Sequence, residues 1–161
     1  MEKNVLLIRR KFIPFCTFCV VLILSGCGSK DMSPRAIQPE VDTCAVCNMS
    51  ITHEEFAAQA ILANGDKLIF DDLGCLVQYV LDKQESEIGA SYIKDYESNE
   101  WIDTTKASFV YHKDFWTPMT YGVLAFESEQ RAVQFIKNEG QGKLLTQQDL
   151  QEHKWGVHKY D

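Results

Sequence analysis

The chain predicts an α+β fold of two related strand-strand-helix-strand units packed together, with antiparallel-rich sheets and the helices on one face. Three observations carry this expectation. "EFAAQAILANGDKLIFDD" sets two apolar runs either side of Asn64-Gly65, a strong short-range sign of a two-residue hairpin turn. Each pair of strand-like runs is followed by an amphipathic helical pattern. The halves also match in letters: Phe70 precedes Val77-Gln78-Tyr79-Val80 by the same step that separates Phe126 from Val133-Gln134-Phe135-Ile136, a constant offset of 56. A fixed offset of that kind marks a duplicated unit.

In the first unit, Asp71 and Asp72 offer a helix N-cap, and Leu73, Leu76, Val77 and Val80 recur on one helical face. "SYIKDY" at 91–96 reads as the third strand. In the second unit "ASFVYH" and "YGVLAFE" read as strands, and "SEQRAVQFIKNEG" as a helix that buries Ala132, Val133 and Ile136 and stops at Gly140. A short strand "KLLT" follows. The organisation expected is a signal peptide over 1–26, a flexible tether over 27–40 and one working domain over 41–161, with units at about 41–98 and 99–161.

The start of the chain bears on compartment. Lys3, Arg9, Arg10 and Lys11 precede an apolar run, Phe12 to Leu24, too short to span a membrane but of signal-sequence length. It ends in Leu24-Ser25-Gly26-Cys27, which resembles the lipobox of bacterial lipoproteins. Cys27 would then become a lipidated N-terminus, holding the domain on the extracytoplasmic face of the cell membrane. Removing the segment's four basic residues and Glu2 takes the formal net charge from -7 to -10. Such an acidic balance argues against nucleic acid as a partner. Between Cys27 and Cys44, "GSKDMSPRAIQPEVDT" has two prolines and no periodicity, which reads as the tether.

Beyond Cys27 the cysteines are Cys44, Cys47 and Cys75, an odd number. Cys44-x-x-Cys47 admits three chemistries. A thiol-disulfide oxidoreductase needs the pair to open a helix, whereas a strand-like run follows here. A zinc-stabilised binding module can be assembled on paper from Cys44, Cys47, His153 and His158, although the histidines come from a distant polar tail. A soft monovalent ion suits Cys47 and Met49, because thiolate and thioether together select Cu(I). One residue apart in an extended segment, the two sulfurs point to the same side, and Cys44 joins them only if the chain turns. Cys75, on the helix beside Leu76 and Val77, reads as a small buried hydrophobe. His112 opens the loop that carries Met119 and is a candidate nitrogen donor. Trp101 reads as packing between the units, and Trp116, beside Met119, as part of a partner surface. No Ser/His/Asp set or glycine-rich phosphate loop is present in the sequence, so a binding protein rather than an enzyme is expected.

"CAVCNMSI", "FDDLGCLVQYV", "EWIDTTKASFVY", "TPMTYGVLAF" and "SEQRAVQFI" run in the order seen in the NosL family of lipoproteins, and the resemblance covers most of residues 41–146. The opening motif resembles the family's C-x-x-C-G-M, and the later one its T-P-M-G. The resemblance implies a lipid-anchored Cu(I) metallochaperone that supplies a nitrous oxide reductase assembly complex, a service to denitrification. Carried over by position, Cys47 and Met49 match the soft-metal motif, Cys44 stands beside them, and Met119 matches the methionine of the second motif. Asn48 and Thr120 stand where the family places glycine.

Overall fold

The computed structural model describes residues 30–155; the expected signal sequence, Cys27 and His158 lie outside them. Within these residues the order is β1 (Ala58–Leu62), β2 (Lys67–Phe70), α1 (Leu73–Leu81), β3 (Ile88–Lys94), β4 (Trp101–Asp103), β5 (Ser108–Tyr111), β6 (Val123–Phe126), α2 (Glu129–Glu139), β7 (Lys143–Leu145) and α3 (Gln147–Glu152). Short 3-10 helices occupy Glu54–Phe56 and Glu85–Glu87. Among the described residues, no helix is long and apolar enough to cross a membrane.

The strands form two antiparallel sheets, β2-β1-β3-β4 and β6-β5-β7. In each unit the first strand is central, the second lies at an edge, and the strand after the helix pairs with the first from the other side. The α+β architecture expected of the sequence is therefore present, and the two units share one topology. α1 packs on β1 and β2, and α2 on β5, β6 and β7. α1 and α2 each begin on a side-chain cap two residues after the strand pair ends: Asp72 accepts from the Gly74 N–H, and Ser128 from the Arg131 N–H. The offset of 56 relates these two caps. Gly140, at φ 69, ends α2 in the left-handed conformation that glycine adopts freely.

Alternation along β5 explains how the units share a core. Phe109 points into the larger cluster with Phe70, Leu73, Cys75, Leu76 and Ile93, while its neighbour Val110 faces the smaller one with Leu124, Phe126 and Ala132 beneath α2. The sheets are also stitched through the backbone, with the Tyr96 N–H donating to the Ala125 carbonyl at 2.9 Å. Asp95, buried, accepts from the Glu127 N–H at 2.6 Å.

Several expectations need correcting. The first hairpin turns through three residues, 63–65, because Leu62 pairs with Asp66 and Gly65 sits at φ 98. This is the three-residue loop with glycine at its left-handed position, which suits strand twist as well as the two-residue turn does. Unit one extends to Asp103, past the expected boundary at 98, because Trp101–Asp103 adds to the sheet beside β3. Three residues are too short to betray a strand by alternation. Val133 is 49% exposed; Phe135 and Ile136 do the packing with Ala132.

The stretch expected to be a tether is, over its described part, bound to the domain. The Arg35 N–H and carbonyl bond the buried Gln59 side chain, Arg35 forms a two-pronged pair with Asp42 at 2.6 and 2.8 Å, and the Tyr92 hydroxyl donates to the Met32 carbonyl. Proline and polar residues remove periodicity without removing such tertiary partners.

Candidate metal centre

Residues 42–51 form a closed loop on the end of β2. Thr43 bridges Ser50, the Cys44 N–H donates to the Met49 carbonyl at 2.8 Å, and the Asn48 N–H returns to the Cys44 carbonyl at 3.0 Å. The Ala45 N–H is fastened to the Ile69 carbonyl at 2.9 Å. Closing so tight a loop requires one left-handed residue, and Asn48 supplies it at φ 60. The segment is therefore turned rather than extended, which brings Cys44 under Cys47 and leaves Met49 47% exposed at the rim.

Beneath this loop lies the first turn of α1. Asp72 serves as the cap, so the second carboxylate of the pair, Asp71, is free to face inward, where it meets Cys75 one helical turn on. The three sulfurs of Cys44, Cys47 and Cys75 and a carboxylate oxygen of Asp71 all lie within 4.8 Å of one another. Cys44 and Cys75 are fully buried, Asp71 nearly so, and Cys47 half-buried. The three thiols are free. Cys47 Sγ donates to Asp71 Oδ2 at 3.5 Å, while Asp71 Oδ1 is buried with no hydrogen-bond partner. An orphaned carboxylate oxygen beside three sulfurs is costly in apolar surroundings unless a cation approaches.

The thiols differ in acidity. Cys44 is drawn down to about 6, chiefly by a hydrogen bond from Cys75 and then by the N–H groups of Cys47, Asp71 and Val46, against the cost of burial. Cys47 is pushed up to about 11, first by burial and then by the neighbouring Cys44 sulfur. Cys75 is raised, first by its bond to Cys44 and then by burial. At neutral pH one thiolate is thus cradled by two thiols.

The second unit covers the cluster. Its hairpin is long: β5 and β6 are joined through 113–121, with the His112 N–H bonded to the Gly122 carbonyl. Thr117, buried, hydrogen-bonds the Asp72 carboxylate and accepts from the Tyr121 N–H at 3.1 Å, and the Met119 N–H donates to Asp72 Oδ2 at 3.3 Å. Burial raises the Asp72 carboxyl, opposed by those donors and by Gly74. The turn closes from the Thr120 N–H to the Thr117 carbonyl, with Thr120 at φ 58. Asn48 and Thr120, which stand where the resembled family has glycine, are thus both at left-handed positions. Tyr121 lies flat over Gly74, whose absent Cβ would come within 2.1 Å of the ring, and its hydroxyl accepts from Gln78 at 2.8 Å.

Of the residues singled out from sequence, Cys44 and Cys47 lie in the cluster. Met119 is half-buried against the core that contains Cys44 and Cys75, and Met49 is at the rim. Cys75 is buried, as a small hydrophobe would be, but its thiol belongs to the cluster; with Asp71 it is what the sequence reading missed. The available sign was the pairing of two carboxylates before a helix that needs only one as a cap, with a cysteine four residues on. His112 packs on Phe115 and accepts from the Asp114 N–H, away from the sulfurs. His153 packs edge-on against Tyr111 and Trp155. It stands outside the sulfur group, so Cys44, Cys47 and His153 do not assemble a zinc site among the described residues. No α-helix opens at Cys44 or Cys47, unlike a thioredoxin-type pair. Trp101 packs on the shared core with Lys94 over its ring at 4.5 Å, and Trp116 is 56% exposed, edge-on to His53 and Phe56.

No match was found among curated proteins. Among solved structures, a crystal structure of the copper chaperone NosL from Shewanella denitrificans shares this fold, with a TM-score of 0.64 and 21% sequence identity over 74% of this chain and 96% of that one. The family model for NosL matches residues 34–155, from the Arg35–Asp42 clamp through both units to Trp155, and the chain accordingly belongs to the NosL family.

Proposed function

We propose that this protein is a metallochaperone that carries Cu(I) on the extracytoplasmic face of the cell membrane, anchored by lipid at Cys27, and gives it up for the assembly of nitrous oxide reductase. The observation that carries the reading is the grouping of three thiols around an orphaned carboxylate, beneath a loop that presents Met49. Soft sulfur donors select Cu(I) over the hard cations that carboxylates alone would hold. Cys47 and Met49 stand nearest solvent, and Met119 is fixed one residue from Asp71 by its bond to Asp72. Few, soft ligands leave an ion open to attack by an incoming ligand, so the ion can pass by exchange without release into water. The Lys/Arg-rich start, the lipobox-like Leu24-Ser25-Gly26-Cys27 and family membership support the anchor and the destination.

The test is anaerobic titration of the full chain, purified in detergent, with Cu(I) against a chromogenic chelator. Withdrawal of copper from the chelator is expected; a chain that leaves the chelator saturated is not a copper carrier. Labelling with a radioactive fatty acid, lost in Cys27→Ser, checks the anchor. The copper content of nitrous oxide reductase in cells lacking this protein checks the destination.

A further inference from the structure

We propose that the metal-free centre closes by a disulfide between Cys44 and Cys47, so that copper loads only after a dithiol reductase has attacked Cys47 and released both thiols. The pairing stands on the thiols alone; its consequence for copper rests on the carrier reading above.

Three free thiols whose sulfurs lie within 4.8 Å of one another admit three pairings. The backbone favours one. Cys44 and Cys47 stand three residues apart in a turn that the Asn48 N–H closes on the Cys44 carbonyl at 3.0 Å. A single turn of that kind brings the Cα atoms of its first and fourth residues to about 5 to 6 Å, inside the span of about 4.4 to 6.8 Å that a disulfide takes. Ala45 and Val46 between them are exposed, so no core packing resists a small adjustment of the turn. Cys75 is held differently. It lies at the start of α1, which Asp72 caps, and Tyr121 and Trp155 pack so closely on Gly74 that an added Cβ would stand 2.1 and 2.6 Å from their rings. Bonding Cys75 to either loop thiol means shifting that helix or drawing the loop inward.

Access sets the order of events. Cys44 and Cys75 are fully buried and Cys47 is half-buried, so an oxidant that carries a disulfide, small or protein-borne, exchanges first with Cys47. The Cys44 sulfur then attacks the Cys47 sulfur of the mixed disulfide and expels the oxidant's second thiol. In all, two protein thiols give two electrons and two protons to the oxidant's disulfide, which leaves as two thiols. Reopening runs the other way. A thiolate of a dithiol partner attacks Cys47 Sγ, Cys44 leaves and takes up a proton, and the partner's second thiol breaks the mixed disulfide, so the partner departs oxidised. The closed form has no thiolate to offer at Cys44 or Cys47. Disulfides persist outside the cytoplasm, so a carrier on that face of the membrane needs a reductase of this class ahead of copper loading.

Mass spectrometry reads the pairing after the metal-free full chain, in detergent, has been treated with oxidised glutathione, unfolded, labelled with iodoacetamide and cut with trypsin. Cleavage at Arg35, Lys67 and Lys83 puts Cys44 and Cys47 on one peptide and Cys75 on the next. An unlabelled 36–67 peptide, lighter by two hydrogens, and a labelled 68–83 peptide are expected. A cross-link between those peptides, or labels on all three thiols, overturns the pairing. Reduced glutathione added to the oxidised chain and quenched in acid should be found on Cys47; finding it on Cys44 overturns the point of attack. Anaerobic titration with Cu(I) against a chelator then compares the oxidised and reduced chains. The oxidised chain should lose its copper binding and regain it once a dithiol has been added and removed. Equal binding by both forms overturns the gate and leaves the carrier intact; binding by neither overturns the carrier reading and the gate with it, while the peptide masses still decide the pairing.

Discussion

The two units of this molecule have the same strand order, the same cap position and the same step from strand to helix, yet one carries the candidate centre and the other does not. At the offset of 56, Asp71, Asp72 and Cys75 correspond to Glu127, Ser128 and Arg131. Glu127 and Arg131 sit one turn apart, as Asp71 and Cys75 do, but as an ion pair at 3.5 Å on the open surface. The backbone is alike in both, so the helix start by itself does not make a site. Cover does. The first unit's helix start lies under the 42–51 loop and under the long 113–121 hairpin, whereas its own hairpin turns in three residues and cannot reach across to α2. A carboxylate and a neighbour four residues on become a pair of buried, unneutralised donors only when other segments exclude water from them.

Removing the shared cap from each unit should break the symmetry most visibly. Asp72→Ala deletes a helix cap and leaves the Met119 N–H without its acceptor inside the fold, which should cost about 3 kcal/mol. Ser128→Ala deletes a cap alone and should cost about 1 kcal/mol. Urea unfolding of the two variants measures the difference, and equal losses would mean that the second unit's loop does not lean on Asp72. Replacing Cys47 by Ser should weaken Cu(I) binding by at least about 100-fold, the upper end of what loss of a mere supporting partner costs. Unchanged competition with a chelator would remove Cys47 from the ligands.

Acidity distinguishes the units as well. Cys44 is lowered to about 6, so its contribution to stability is present above the ordinary thiol value and is lost as pH falls towards 6. Cys47 is raised to about 11; its contribution is present below the ordinary thiol value and is lost as pH rises towards 11. The metal-free fold should therefore gain stability up to about pH 9 and lose it beyond. Because Cys47 must surrender its proton to bind metal, apparent Cu(I) affinity should rise about tenfold per pH unit from 7 to 9. A flat profile would show that the proton on Cys47 is not displaced.

Thr120→Gly should stabilise by about 1 kcal/mol, since a β-branched residue at φ 58 is strained and glycine is not. Asn48→Gly should do less, asparagine being the more tolerant there. Thermal unfolding ranks them, and a higher melting temperature for Asn48→Gly reverses the argument. The smallest effect is expected in the second unit. Glu127→Asp with Arg131→Cys copies Asp71 and Cys75 into the second unit, yet it should add no copper equivalent and change stability by less than about 1 kcal/mol, since only the exposed ion pairs of Arg131 with Glu127 and Glu97 are lost. An added equivalent in titration would mean that the helix start suffices without cover.

Much of the scaffold was legible because it is local. Asp72 and Ser128 are recognisable as caps from the residues that follow them, and Gly140 as a helix stop. The duplicated unit is visible in Phe70 and Phe126, and in the patterns after them. Val133 misled because its apolar side chain is one position off the buried stripe of α2. The stretch 31–42 misled because Arg35 and Gln38 find their partners in Asp42 and Gln59 rather than in any periodic pattern.

The letters alone determined a chain with soft donors at Cys44, Cys47 and Met49, two capped helices behind antiparallel strands, and a second thioether following Pro118. Spacing within one segment settles such things, since neighbours along the backbone share its geometry. Only the tertiary structure decided that Cys75 and Asp71 join those thiols, that Met119 is tied to Asp72, and that His153 stays away. Each of these depends on segments 24 to 109 positions apart in the chain being pressed together around one core, and periodicity reports which face is buried without reporting what meets it.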